Sequence, residues 1–259
     1  MIEAILIDID GCLLPTDGSV SPNFYRGLSE FSFYVKESNK GSFPKIGFCT
    51  GRDRNYVEAV CLVVGLPQWW SIIESGLALF NAWSKELVFN PALSSEIRET
   101  FKEISKERIS KILGKCSSEL FLYPGKILNV SLERFPKAKS SIEQLFEIVK
   151  NELQDLLRER KITISHSNIA VDISPAGIDK ASGVKFLAQY TGIDLKKTLG
   201  IGDSNGDFPM LEQVGYIGCP SNASEEVKEV VKKRKGYISS LPFVEGVVDV
   251  IRYFADKKG

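Results

Sequence analysis

The sequence predicts an α/β fold: a parallel sheet flanked by helices, with a second, α+β unit inserted into it. Short apolar runs at 4–7, 45–49 and 198–201 end abruptly in polar residues, as strands buried on both faces do. Strand and helix patterns alternate at both ends of the chain, which implies parallel pairing through right-handed crossovers. Between residues 83 and 178 the order changes to helix, hairpin, helix, hairpin. The expected division is a core of 1–82 and 179–259 around an insert of 83–178.

Ala4 to Ile7 forms the first strand and stops at Asp8, Ile9, Asp10 and Gly11. Ser21 and Pro22 read as the N-cap and first-turn proline of a helix reaching Lys36. Lys45 to Cys49 is the second strand, ending in Thr50, Gly51 and Arg52; Asp53 caps a helix to Val64. Ser71 to Glu74 is a third strand of the same sheet, with a hairpin following through Asn81. In the insert, Ser94 to Leu113 and Ala138 to Glu159 are amphipathic helices, each followed by a hairpin, at 119–134 and 162–173. Past Ile178 the first pattern resumes. Lys180 to Tyr190 is a helix, Thr198 to Ile201 a strand ending in Gly-Asp-Ser-Asn-Gly-Asp, and Phe208 to Gln213 a short helix. Gly215 to Gly218 is the last strand, before helices at 223–233 and 243–255.

Composition narrows the chemistry. Basic and acidic residues balance at 33 each, which argues against a general nucleic-acid binder, and the basic run 232–235 reads as a solvated helix end. No apolar run approaches the ~20 residues that cross a bilayer, and the N-terminus enters a strand without the pattern of a secretory leader. Five scattered cysteines fit reduced thiols and a cytoplasmic setting. With a single histidine, His166, multi-histidine zinc sites are excluded.

Oxygen ligands and carboxylate chemistry remain. Asp8 and Asp10, two apart on a strand end, point the same way. At an effective dielectric of about 20, two such charges ~4 Å apart repel by about 4 kcal/mol, which a divalent cation converts to attraction. An Asx-type turn after the strand explains the pair equally well in isolation. Three strand ends, however, carry suggestive residues: Asp8 with Asp10, Thr50 with Gly51, and Asp203 with Asp207. Lys180 begins the helix that re-enters the core. Together they suit phosphoryl transfer. Several carboxylates without histidine or thiolate point to a hard ion such as Mg²⁺. The Thr50 hydroxyl, the amides at Gly11 and Gly51, and the fixed charge of Lys180 all suit phosphate oxygens. One carboxylate can attack phosphorus and another can move the proton.

In Asp8–Gly11, Thr50–Arg52, Ile178–Ala181 and Gly202–Met210 the chain resembles the haloacid dehalogenase (HAD) superfamily phosphatases with a C2B cap. That group includes Cof-like, sucrose-phosphatase-like and archaeal phosphoglycolate-phosphatase-like proteins. The resemblance covers the whole chain: the insert lies where C2 caps belong, and Cys219–Lys228 also resembles the group. It implies a Rossmannoid core and a cap that closes over it. It implies Asp8 as nucleophile and Asp10 as general acid/base. Mg²⁺ would be held by Asp8, the Asp10 carbonyl and Asp203, with Asp207 in direct or indirect support. Thr50 and Lys180 would hold the phosphate, with Gly11, Gly51, Arg52 and Asn205 contacting substrate.

Three positions depart from the family pattern. Gly206 replaces an asparagine, Cys12 a threonine, and Ser75-Gly76 an Asn-Gly. Arg52 is the first candidate for pairing with a substrate carboxylate or second phosphate. Tyr123, Lys126, Asn129, His166, Asn168 and Asp172 are cap candidates. The expected function is a Mg²⁺-dependent phosphatase of a small phosphorylated sugar or organic acid, phosphoglycolate among them, with no nucleic-acid or membrane partner. A phosphomannomutase-like mutase and a non-catalytic phosphate-ester binder are the alternatives.

Overall fold

All four residues of β1 (Ala4–Ile7) are buried, so the strand lacks a polar face and needs neighbours on both edges. The computed structural model describes residues 1–16, 18–167 and 169–256. After β1 come α1 (Phe24–Asn39), β2 (Lys45–Phe48), α2 (Arg54–Val64), β3 (Trp70–Ile73), β4 (Ala78–Asn81) and β5 (Leu87–Phe89). The next are α3 (Ser95–Glu103), α4 (Ile109–Lys115), β6 (Leu120–Leu122), β7 (Val130–Arg134), α5 (Ile142–Glu152), α6 (Gln154–Arg158), β8 (Ile162–His166) and β9 (Ala170–Pro175). The chain ends with α7 (Lys180–Thr191), β10 (Thr198–Ile201), α8 (Phe208–Leu211), β11 (Tyr216–Cys219), α9 (Glu225–Lys233), β12 (Tyr237–Ile238) and α10 (Phe243–Asp256). None of the described helices is long and apolar enough to cross a membrane.

The chain forms two compact units, residues 1–90 with 179–259, and residues 91–178. The first holds a parallel sheet in the order β12-β11-β10-β1-β2. Its register pairs Ile7 with both Phe48 and Ile201, so three strands end at one level. The Asp8 amide donates to the Ile201 carbonyl at 3.0 Å, and the Cys49 amide to the Ile7 carbonyl at 2.9 Å. Three chain segments therefore turn out of the sheet side by side.

Several expectations need correction. The third strand does not join the parallel sheet: β3 pairs antiparallel with β4, and β4 with β5. Its tie to β2 is one bridge, Cys49 to Ile72, because the Ser71 hydroxyl takes the Phe48 amide (3.1 Å) that a longer ladder would use. The boundary at 83 falls inside this meander. β5 pairs with β4, and the Asn90 amide donates to the Leu77 carbonyl, so residues 83–90 belong to the first unit. Ser21 lies two residues ahead of the N-cap position, Asn23, and its hydroxyl accepts the Asn23 amide at 3.2 Å. α1 starts at Phe24 without a side-chain cap, and the Ser21 hydroxyl donates to Glu245. β12, only two residues long, escaped the pattern. In the basic run, Lys232 and Lys233 sit in the last turn of α9, and Arg234 donates to the Leu211 and Val214 carbonyls.

The second unit is an antiparallel sheet, β6-β7-β9-β8, packed with its helices around Phe101, Ile112, Leu132, Leu145 and Val171. Its first helix is broken by a π turn at Ile104–Arg108. Ile104 and Ile109, five apart, are both buried, and a π turn is what places that spacing on one face. Ser141 and Gln144 form a capping box that starts α5.

α7 is seated with almost no clearance. Gly76 follows β3 at φ +105°, and a Cβ there would lie 2.0 Å from the Asp179 carbonyl oxygen, at the N-cap of α7. Gly183, one turn into the helix, lies directly over it: its own Cβ would come within 2.7 Å of Gly76 Cα. This contact fixes where Lys180 enters the core. Gly76→Ala is expected to cost about 1–3 kcal/mol, from backbone strain and overpacking together. Urea unfolding would measure it, and a variant as stable as the native chain would mean that the seat yields freely.

Candidate active site

At the level where β1 and β10 end, buried charges collect. Asp8, Lys180 and Asp207 are 6%, 7% and 0% exposed. Lys180 Nζ donates to Asp8 Oδ1 at 2.9 Å and to Asp207 Oδ1 at 2.7 Å. The other Asp207 oxygen accepts the amides of Asp203 (3.0 Å) and Ser204 (3.1 Å), so this carboxylate folds its own loop around itself. Asp8, Asp203 and Asp207 each offer an oxygen within 4.8 Å of the others. Asp203 Oδ1 is buried and has no hydrogen-bond partner among the described residues. Its Oδ2 rests against Gly11, whose φ is +76° and whose Cβ, if present, would be 2.4 Å away. An orphaned buried oxygen in an all-oxygen cluster fits a hard divalent cation.

The remaining expected residues fall into place unevenly. Asp10 lies beside this cluster in sequence and is gripped by Arg52: Nε to Oδ2 at 2.7 Å and Nη2 to Oδ1 at 3.0 Å. The Arg52 guanidinium, expected to meet substrate, thus meets an internal carboxylate through Nε and Nη2. Thr50 is buried where β2 ends, and its hydroxyl accepts the Arg52 amide at 3.2 Å. Gly51 lies in the same turn. Asn205 is not brought into the cluster; it is exposed, and its side-chain carbonyl accepts from the Ser224 hydroxyl at the N-cap of α9. Asn222 was missed by the sequence reading. Its amide nitrogen donates to the Gly11 carbonyl (2.7 Å) and its oxygen accepts the Phe243 amide (2.8 Å), tying the loop after β1 to the start of α10. The run Cys219–Lys228 flagged the region but not the residue.

In the second unit, Tyr123, Lys126 and Asn129 line a cavity of about 370 Å³, and Lys126 lies over the Tyr123 ring at 5.8 Å. His166 ends β8 with its ring 4.8 Å from that of Phe146. Asp172 is on β9, opposite Ser131 and Ser165. Asn168 lies outside the described residues.

A family model, that of the haloacid dehalogenase-like hydrolases, matches residues 119–251. The chain belongs to this family. Two curated relatives are named phosphoglycolate phosphatase. The one from Thermoplasma volcanium is 25% identical over 98% of this chain and 99% of its own. The one from Methanospirillum hungatei is 33% identical over 51% of this chain and 55% of its own. Among solved structures, the sucrose-phosphatase of Synechocystis superposes with a TM-score of 0.66 at 18% identity, over 98% of this chain and 99% of that one. That likeness is one of fold. It extends across both units of this HAD hydrolase, in keeping with a cap of the C2B type.

The electrostatics of the hydrolase follow from crowding like charges out of water. Burial pushes Asp8 up to about 7, with Asp207 and Asp10 adding repulsion and Lys180 opposing it. Burial, then the charges of Asp207 and Asp8, push Asp203 up to about 8. Lys180 runs the other way to its burial: Asp207 and Asp8 hold it well above the usual lysine value. Cys12 is buried and its thiol is held well above the usual range, so it is inert as a nucleophile.

Because both carboxylates bind protons more tightly folded than unfolded, they stabilise the fold below the usual carboxylate range. That contribution is lost as pH rises to about 7 and 8. In a chelator, Asp203→Asn is expected to flatten the fall in Tm between about pH 4 and 8 and to make the variant the more stable form at the upper end. Parallel Tm profiles for the two proteins would show that this crowding does not govern stability.

Proposed function

We propose that this HAD hydrolase is a Mg²⁺-dependent phosphatase acting on a small phosphate ester, with a phosphorylated organic acid such as phosphoglycolate as the first candidate. The observation that carries the reading is Lys180, buried between Asp8 and Asp207 where neighbouring strands end, with the unpartnered oxygen of Asp203 alongside. The names of the curated relatives support both the reaction and the candidate substrate. The five free, buried cysteines support a reducing, cytoplasmic setting.

Asp8 and Asp203, with the Asp10 carbonyl, would hold Mg²⁺, and Asp207 would stand behind them by fixing the loop and Lys180. A cation held there would offset the carboxylate repulsion and supply positive charge to the phosphoryl group. An Asp8 carboxylate oxygen attacks phosphorus as the bond to the leaving oxygen breaks, and Asp10 gives that oxygen its proton. Water then attacks the phosphorus of the aspartyl-phosphate and loses its proton to Asp10, freeing phosphate and restoring Asp8. Lys180 is positioned to steady charge on the transferring group, and the Thr50 hydroxyl and Gly51 amide stand at the adjoining strand end.

A panel of phosphorylated metabolites, assayed for free phosphate with Mg²⁺, tests the reading. Turnover is expected on at least one small ester, lost in EDTA and restored by Mg²⁺. Asp8→Asn is expected to lower it by at least about 10³-fold. Full activity in that variant would sink the mechanism. Transfer to added sugar phosphate instead of release would make the protein a mutase.

A further inference from the structure

The carboxylate assigned to proton transfer is oriented by a device of its own. Arg52 meets Asp10 in a two-pronged pair, at 2.7 and 3.0 Å, and the Tyr56 hydroxyl donates to Asp10 Oδ1 at 3.3 Å. The guanidinium in turn lies over the Tyr56 ring, 4.7 Å from its centre. Arg52 lies in the turn just before α2 and Tyr56 in the first turn of that helix. Asp53 fixes that turn by accepting the amides of Asn55 (2.8 Å) and Tyr56 (3.3 Å). The backbone below is pinned as well, since the Arg52 carbonyl accepts the Glu74 amide at 3.0 Å. Contacts within the protein therefore set the geometry of this one side chain.

We propose that Arg52, with Tyr56, is the positioning residue of Asp10 and does not serve as the ligand for an acidic group on the substrate. The inference rests on Asp10 being the general acid/base of the proposed phosphatase. A fork-to-fork pair fixes both the direction and the rotation of a carboxylate. Binding a substrate carboxylate through the same two nitrogens would release Asp10 from that orientation. Both of these nitrogens, Nε and Nη2, are spent on Asp10. Proton transfer is sensitive to placement of the acid, so loosening it slows the step that needs a proton and spares substrate binding.

The test compares leaving groups. Phosphoglycolate carries a carboxylate, glycerol phosphate lacks one, and p-nitrophenyl phosphate releases an oxygen stable without a proton. In Arg52→Gln, kcat on the two alkyl esters is expected to fall about 10- to 100-fold, as for other residues that orient a reacting group, with KM within about threefold. On p-nitrophenyl phosphate, kcat/KM, which reports the step that expels the leaving group, should change by less than about threefold. Arg52→Lys is expected to recover part of the loss, because an ammonium can hold one oxygen of Asp10. A rise in KM confined to phosphoglycolate would overturn the proposal and return Arg52 to the substrate. An equal loss on all three esters would also overturn it, as a merely structural effect. If Arg52→Gln fails to fold, Tyr56→Phe, which keeps the ring under the guanidinium, decides by the same bias between leaving groups; an equal fold-change on all three esters relative to the native chain would overturn the proposal. A native chain that hydrolyses none of the esters would refute the phosphatase reading itself.

Discussion

One buried ammonium organises this site. Lys180 lies between carboxylates from two segments far apart in sequence, at distances that leave no room for water between them. Taking a lysine and two aspartates out of water costs several kcal/mol per ion, and the mutual attraction offsets that only if each group arrives in place. The fold supplies the placement. β1 and β10 pair in register, so Asp8 and the Asp203–Asp207 loop leave the sheet together. The glycine seat under α7 brings Lys180 in at its N-terminus, where Asp179 and Ser182 form the capping box. One cation against three carboxylates leaves negative charge in excess. Burial, and then that excess, raise the affinities of Asp8 and Asp203 for protons, and a divalent ion would offset the repulsion.

Much of this was legible in the chain because the central strands have no polar face. Ala4–Ile7 and Thr198–Ile201 are buried throughout, so the first polar residue after each marks the strand end and the edge of the site. Motif order then did the rest. What could not be read was pairing. β3 has the composition of a core strand, yet it pairs along its length with β4 while the Ser71 hydroxyl takes the Phe48 amide. β12 is too short to carry a period. Arg52 was visible as a cation beside the site, but composition does not say which way a side chain points. Its partner is set by the N-terminal turn of α2, which Asp53 orients, and that geometry exists only once the helix is built. Asn222 was hidden for a similar reason, since its two partners lie 211 and 21 residues away.

The departures from the family pattern take on physical meaning at this point. Gly206 is exposed, and a Cβ there would meet nothing nearer than the Ser204 hydroxyl at 3.5 Å, so no steric demand calls for glycine. The loop keeps its shape without an asparagine there because Asp207 gathers the amides of Asp203 and Ser204 on one oxygen. Asn205 does not substitute for the missing side chain; it turns outward to Ser224. Cys12 belongs to the apolar core with Ile9, Leu13 and Val244, where a hydroxyl would need a partner that a thiol does not. Gly206 and Cys12 thus fall on positions that face solvent or pack, whereas Ser75 stands beside the site, its amide donating to the Thr50 carbonyl at 2.9 Å. The groups that would hold the cation, attack phosphorus or place the proton are separate from them, and their mutual contacts do not run through either residue. The loop's geometry rests on carboxylate–amide bonds and on Asn222 at the Gly11 carbonyl, so the site is built to hold its shape around the positions that have changed.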